Sequence, residues 1–158
     1  MHAQAYYHHG IIAHIAAALE EYLWLTSQVP EDRLDTLLPP DGLSLRDTLI
    51  NLGRDFDMLA YPQILALLDG NPPPPLPSDD DLAATRRSWA AADLMLAMKQ
   101  IRYRFQAVEA RLAAAPPEAW FTADSGPTPL ALACFALWKI LLSHLTALAT
   151  AILQQNTD

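Results

Sequence analysis

The sequence is short of several residue types, and each shortage excludes a class of protein. Its one cysteine, Cys134, cannot form a disulfide within the chain, which is typical of proteins in a reducing cytoplasm. With 5 glycines, the chain has no glycine-rich loop that could surround a phosphate. Lys and Arg number 10 against 18 Asp and Glu, and the net charge of -8 argues against nucleic acid as a partner.

What the chain does contain fits one helical domain. Its 158 residues are 52% hydrophobic, which is enough to build a single core, so we expect one domain over residues 1–158. The first residues lack the basic and apolar stretches of a secretion signal, so we expect a cytoplasmic protein. No stretch alternates apolar and polar residues in the manner of a strand, so no strand is predicted.

Proline clusters divide the chain into four segments rich in Ala and Leu, spanning about 3–28, 44–68, 79–115 and 129–153, and each predicts a helix. Ser44, Ser78 and Thr128 are placed to cap the last three. Pro62 should kink the second helix or split off its last two turns. Each helix has one apolar seam, so we predict an all-α fold in which four helices pack as a bundle. The most regular seam consists of Leu94, Met98, Ile101, Phe105, Val108 and Leu112.

The fourth segment raises the question of a membrane. From Pro129 to Leu153 its only charge is Lys139, and its length would permit a span. Against a span, Ser143 and His144 interrupt it, and its apolar residues repeat with the spacing of a buried helical seam. We therefore predict a core helix and no membrane partner.

His144 is the histidine best placed for chemistry, because it lies in the most apolar helix beside the seam. A buried imidazole needs a partner for each ring nitrogen, and the second helix offers Thr48, Asn51 and Asp55 on one polar stripe. Polar side chains that face a bundle interior often line a ligand pocket or hold a metal. The simpler alternative is a hydrogen-bonded core histidine, since one His and one carboxylate make a poor metal site.

Residues 38–68, LPPDGLSLRDTLINLGRDFDMLAYPQILALL, resemble the second-helix region of the DinB/YfiT-like superfamily. That region often reads D-G-W-S-x-R-D/E-x-L-x-H-L, and the stretch from Asp41 to Asp47 matches it with Leu43 in place of Trp. Residues 118–148 resemble the last loop and helix of the same superfamily. The resemblance implies an up-down-down-up four-helix bundle with a long crossover connection, often dimeric, so a homodimer is expected.

Many members of this superfamily hold a divalent metal with three histidines, one on the second helix and an H-x-x-x-H pair on the fourth. Carried over to this chain, the three positions are Asn51, Ile140 and His144. Neither an amide nor isoleucine replaces an imidazole, so His144 alone remains. Asp55 could substitute only with a shifted metal, and His14 only if the first helix faces the same cavity. A site for Zn, Ni or Fe on these atypical ligands is therefore the alternative to a protein without a cofactor.

The sequence leaves three hypotheses for function. The first is a metal-free DinB-like bundle that binds a small molecule in a pocket between its second and fourth helices. The second is a metal-dependent enzyme, either a thiol-dependent transferase or a hydrolase, that uses His144 with atypical ligands. The third is a non-catalytic structural or interaction protein that acts as a dimer. The pocket of the first hypothesis would be lined by Thr48, Asn51, Asp55, Ile140 and His144.

Overall fold

The computed structural model describes residues 2–38 and 42–155, and the side chains of residues 9–37 and 42–154. Asp41, at the start of the motif shared with the DinB/YfiT-like superfamily, lies outside the described residues. The structure is mostly helical, at 76%, which agrees with the all-α prediction. The α-helices are α1 (His2–Ser27), α2 (Leu45–Asp55), α3 (Tyr61–Leu68), α4 (Asp79–Ala90), α5 (Leu94–Ala114) and α6 (Pro129–Gln155). A π-helix (Phe56–Ala60) joins α2 to α3, and the 3₁₀ helices are Glu31–Arg33 and Pro117–Ala119.

The prediction that the chain has no strand is wrong in two short places. Leu37–Leu38 (β1) pairs with Leu43–Ser44 (β2), and Phe121–Thr122 (β3) pairs with Gly126–Pro127 (β4), both antiparallel. Gly126 has a φ of 74°, a conformation that glycine adopts without steric cost in a tight turn. Strands of two residues are too short to show an alternation of apolar and polar side chains, so periodicity cannot reveal them.

The predicted helix caps are confirmed. The Ser44 hydroxyl accepts from the N–H of Asp47, and the Asp47 carboxylate accepts from the N–H of Ser44. Ser78 caps α4 in the same reciprocal way. At the start of α6, the Thr128 hydroxyl accepts from the N–H of Ala131. Each cap satisfies backbone donors that the first turn of a helix leaves unpaired.

The third predicted helix is wrong as one continuous element, because residues 91–93 separate α4 from α5. Asp93 is the N-cap of α5, and its carboxylate accepts from the N–H of Leu96 at 3.0 Å. An Asp side chain competes for backbone donors in this way and so favours a helix start over a helix interior. The seam of α5 is confirmed, and its buried residues are Leu94, Met98, Ile101, Phe105, Val108 and Leu112.

Pro62 does not end the second helix, because a π-helix lies directly before it and Pro62 falls in the first turn of α3. Proline lacks an N–H, and its ring collides with the carbonyl four residues earlier in an ordinary α-helix. In the wider π-turn the N–H of Tyr61 donates to the carbonyl of Phe56, and α3 continues from there. The predicted kink or split therefore takes the form of a local change in helix type.

The helices contact one another in a definite order. α1 packs against α5 and α6, and α2 and α3 pack against the same two helices. The Tyr61 hydroxyl donates to the Arg104 carbonyl at 3.5 Å, and Arg111 binds Asp69 at 2.6 Å, so α3 and α5 run in the same direction. The connection between these two parallel helices must bring the chain back along the molecule. α4 lies within that connection and packs on α2.

Two completely buried side chains, Tyr22 on α1 and Cys134 on α6, carry groups that can ionise. The Tyr22 hydroxyl donates to the Leu141 carbonyl at 3.1 Å, which ties the two helices together. Burial raises the pKa of the Tyr22 phenol above its ordinary value, so the hydroxyl keeps its proton. Cys134 is buried on the seam of α6, and burial raises the pKa of its thiol to about 12. This thiol behaves as a small apolar core residue, as the heptad position predicts.

α6 also has an apolar outer side. Among the described residues, Pro129–Gln154 is long and apolar enough to cross a membrane by length and composition alone, with a mean hydropathy of 1.7 in its most apolar window. In the structure α6 packs along α1, α2 and α3, and 28% of that window is buried. Leu142 and Leu153 are exposed on the outer side. That this helix meets no membrane stays a prediction.

Gly53 allows α4 to dock on α2, and its replacement tests this contact. A Cβ at position 53 would overlap the indole ring of Trp89, and Trp89 is only 5% exposed. Gly53→Ala should destabilise the protein by about 1–3 kcal/mol, the usual cost of overpacking. Gly10→Ala is the matched control, because its Cβ would meet nothing within 4 Å and alanine is the better helix former. Urea unfolding measures both, and equal stability of the two variants would contradict the docking of Trp89.

Candidate functional site

The candidate site lies where the polar stripe of α2 reaches α6. Thr48, Asn51 and Asp55 follow one another at spacings of three and four, so they share one side of the helix. The neighbouring side of the same helix must face the core because it is apolar, and this sets the rotation of α2. The buried residues on that core side are Leu45, Leu49, Leu52 and Phe56.

The structure brings Asp55 to His144. The Nε2 atom of His144 lies 3.2 Å from Oδ2 of Asp55, and Oδ1 of Asp55 accepts from Nε of Arg54 at 2.8 Å. The side chains of His144 and Asp55 are 20% and 15% exposed. Each carboxylate oxygen therefore has a partner, and the His144–Asp55 pair is shielded from solvent without being sealed.

The Asp55 carboxyl is held in its ionised form. Burial raises its pKa, but the hydrogen bonds from His144 and Arg54 and the charge of Arg54 together lower it by more, so the pKa lies below its ordinary value of 3.8. Because an ionised carboxylate only accepts hydrogen bonds, the proton between the two groups belongs to Nε2 of His144.

Asn51 and Thr48 have other partners. The Asn51 side-chain oxygen accepts from Nε of Arg86 at 3.4 Å, and Arg86 also binds Asp47 at 3.0 Å. These contacts connect the polar stripe to α4. The Thr48 hydroxyl donates to a backbone carbonyl one turn earlier in the chain. Within the stripe, Asn51 therefore contacts α4. Asp55, its last residue, contacts α6.

His14, on α1, contacts a different side of α6 from the side that carries His144. Its ring stacks on Trp138, with ring centroids 5.5 Å apart and planes inclined by 27°. Trp138 and His144 are six positions apart, which places them about 120° apart around the helix. The structure therefore brings His14 to the contact between α1 and α6, and not to the His144–Asp55 pair.

The donors at this place do not fit the three-histidine metal centre that the resemblance implies. Asn51 and Ile140 occupy two of its positions, and Nε2 of His144 is directed at Asp55. Within residues 9–37 and 42–154, no three His, Cys, Asp or Glu side chains are grouped so that they could hold a metal ion. We assign no chemical step to a metal here, and a Zn, Ni or Fe site on other ligands stays a prediction.

An apolar groove lies beside the His144–Asp55 pair. It encloses about 340 Å³ between the stretch from the π-helix to α3 on one side and the first half of α6 on the other. None of the lining residues is charged, and Gln63 is the one with a polar side chain. They are Leu59, Ala60, Gln63, Leu67, Pro73, Pro129, Leu132, Ala133, Ala136 and Ile140.

The groove and the pair belong to the same contact between antiparallel helices. Residues that follow Asp55 share the groove with residues that precede His144, which requires α3 and α6 to run in opposite directions. Leu59 and Ile140 line the near end, one helical turn or about 5.4 Å from Asp55 and His144.

Of the five predicted pocket residues, Ile140 lines the groove. The other four do not: Thr48, Asn51, Asp55 and His144. The sequence also missed the rest of the groove lining. The small side chains of Ala133 and Ala136 leave space opposite α3. Helical periodicity identifies these alanines but not what lies opposite them, so it carries no signal for the groove.

A second cavity of about 410 Å³ lies between the end of α1 and the start of α5. Unlike the groove, it has charged walls, since Glu31, Arg46 and Asp93 line it. Ala92 lies among them. This cavity therefore offers an internal control for experiments on the groove.

No family model, no curated protein and no solved structure matches the chain.

The His144–Asp55 pair should make stability depend on pH in acid. Because the pKa of Asp55 is lowered in the folded protein, its contribution to stability is complete above 3.8 and is lost as the pH falls through the folded pKa. Asp55→Asn should cost about 1–3 kcal/mol at neutral pH, since it leaves His144 and Arg54 without a charged acceptor. Urea unfolding at a series of pH values should show this difference shrinking in acid. A difference that stays constant down to strong acid would contradict the ionised carboxylate.

Proposed function

We propose that the chain is a DinB-like four-helix bundle with a degenerate metal site, which binds a small apolar molecule in the groove beside the His144–Asp55 pair. The helix contacts support the bundle, because α1 and the stretch α2–α3 each contact both α5 and α6. The directions support it as well: α3 and α5 are parallel, α6 opposes them, and a long connection containing α4 separates the parallel pair. These directions agree with the down-down-up part of the arrangement that the resemblance implies.

The observation that carries the ligand-binding proposal is the groove. Its volume of about 340 Å³ is within the range of small-molecule sites, at the lower end. Gln63 is the one polar side chain of the lining, and its amide already donates to the Pro74 carbonyl at 3.0 Å. The nearest polar pair outside the lining is His144–Asp55, one helical turn from Ile140 and Leu59 of the groove. Apolar walls with a polar group at one end suit an elongated apolar molecule with one polar end.

Filling the groove tests this proposal. Ala136→Trp places an indole in the groove and should abolish binding of the neutral apolar dye N-phenylnaphthylamine, because no apolar wall remains for it to cover. Ala92→Trp fills the second cavity in the same way and should leave binding unchanged. Dye fluorescence in a titration measures both variants. Binding that survives Ala136→Trp and is lost in Ala92→Trp would place the ligand in the charged cavity and contradict the proposal.

A metal-dependent enzyme, such as a thiol-dependent transferase or a hydrolase, is the alternative. It would need His144 together with atypical ligands, and one imidazole with one carboxylate makes a weak site. Titration calorimetry of chelator-stripped protein with zinc, nickel and ferrous iron should therefore show no sub-micromolar binding. Such binding in the wild type, lost in His144→Ala, would overturn the degenerate site. Its loss in His14→Ala as well would bring α1 into the metal site.

A non-catalytic dimer is the third hypothesis. The exposed leucines on the outer side of α6 favour it, because a second copy of the chain would cover them: Leu142 and Leu153. Dimerisation is compatible with ligand binding in the groove, since most of the groove lies on the side of α6 that faces α3. A homodimer and a cytoplasmic location both stay predictions.

A further inference from the structure

The proline-rich segment of residues 72–77 forms a surface that the proposed function does not use. It reads PPPPLP and lies in the connection between α3 and α4. We propose that this segment binds a partner protein as a preformed polyproline II helix, in a groove that is lined with aromatic side chains and edged with basic ones. The proposal is independent of what the apolar groove binds, although Pro73 also lines that groove.

The covalent structure of the segment fixes its backbone. A proline ring holds its own φ at about −65°, and it keeps the preceding residue out of the α region. Residues 72–74 and Leu76 each precede a proline, so each of them is extended. Extended residues with this φ form the polyproline II helix, which has three residues per turn. The backbone is still extended at Ser78, with φ −71° and ψ 164°, where α4 begins.

The exposure of the segment repeats every three residues, as a polyproline II helix requires. Pro74 and Pro77 are partly buried, and the Pro74 carbonyl accepts from the side-chain amide of Gln63 at 3.0 Å. The other four residues are exposed: Pro72, Pro73, Pro75 and Leu76. One edge of the helix therefore faces the protein, and its other two edges face outward.

The side chains on the two outward edges suit an aromatic groove. Proline rings present flat apolar surfaces, and domains that bind polyproline II helices cover them with aromatic side chains. Leu76 is 80% exposed, the most exposed large hydrophobic residue among those that the structure describes, and it lies between two prolines. Because the backbone is already ordered, little conformational entropy is lost when a partner binds.

Charge indicates what surrounds the aromatic groove of the partner. Between Arg54 and Arg86 the sequence contains no Lys or Arg. Asp79 and Asp80 follow the proline-rich segment closely, and both are exposed. Lys or Arg at the edge of the partner's groove would attract these carboxylates, whereas Asp or Glu there would repel them. The partner is therefore a domain with an aromatic groove and a basic edge.

Titration of the full chain with SH3, WW and EVH1 domains tests the proposal, because these three classes bind polyproline II helices in aromatic grooves. Each class supplies one domain with a basic groove edge and one with an acidic edge, and calorimetry measures the affinities. At least one basic domain should bind the chain, about tenfold more tightly than the acidic domain of its class. Its affinity should fall as the salt concentration rises.

Three variants locate the binding surface on the chain. Replacing both Pro75 and Leu76 by Ala should weaken binding about tenfold, because it removes outward apolar groups. Replacing both Asp79 and Asp80 by Asn should weaken binding and reduce its dependence on salt. Pro117→Ala is the matched control, since Pro117 is also exposed but lies in another connection, and it should bind like the wild type.

Urea unfolding of the variants separates a lost contact from a lost fold. Because residues 75, 76, 79 and 80 are exposed, we expect the unfolding midpoints to stay close to that of the wild type. If the variant at Pro75 and Leu76 were less stable, the variant at Asp79 and Asp80 would still decide.

Several results would overturn the proposal. These are a failure of every basic domain to bind, tighter binding by the acidic domains, or full affinity in the variant at Pro75 and Leu76. Self-association of the chain that this variant abolishes would make a second copy the partner and would overturn it too. The proposed function fails separately, when dye binding persists in Ala136→Trp, because residues 75 and 76 do not line the apolar groove.

Discussion

The rotation of α2 about its own axis is the constraint on which the candidate site depends. Its apolar side has to face the core, and this decides where every other side of the helix points. Asp55 then reaches His144 on α6, while Gly53 meets Trp89 and Asn51 meets Arg86 on α4. Because α2 contacts the core, α6 and α4 on three different sides, it has little freedom to rotate. The position of the His144–Asp55 pair is therefore fixed by contacts that other residues of α2 make.

The polar contacts of this region divide into two groups with different consequences. Around Asp57, the indole N–H of Trp89 donates at 2.7 Å and Arg104 adds an ion pair, so the carboxylate connects the π-helix to both α4 and α5. These donors and acceptors satisfy one another, and the cluster is best explained as structural. The His144–Asp55 pair differs, because Leu59 and Ile140, one helical turn from it along the chain, line an apolar groove. That difference is why the proposals for function concern His144.

Much of the fold follows from local features of the sequence. Caps such as Ser44 with Asp47 mark where helices begin, and the seam of α5 identifies buried residues, because these features involve residues within a few positions of one another. The break before Asp93 was missed because residues 90–92 are all alanine, the best helix former, and no proline or glycine marks the break. The strand pairs were missed because two residues cannot show a period. At the site, His144 and the polar stripe of α2 are visible in the sequence, but which residue of the stripe faces His144 is not.

The sequence by itself determined the helices, most of their ends and the side that each one buries, since these depend on spacings of three and four residues. Only the tertiary structure decided that Asp55 and not Asn51 contacts His144, that His14 contacts Trp138, and that the alanines of α6 leave a groove opposite α3. Those outcomes depend on how far one helix is shifted along another. Such shifts result from packing between side chains that are remote in the chain, and no local pattern records them.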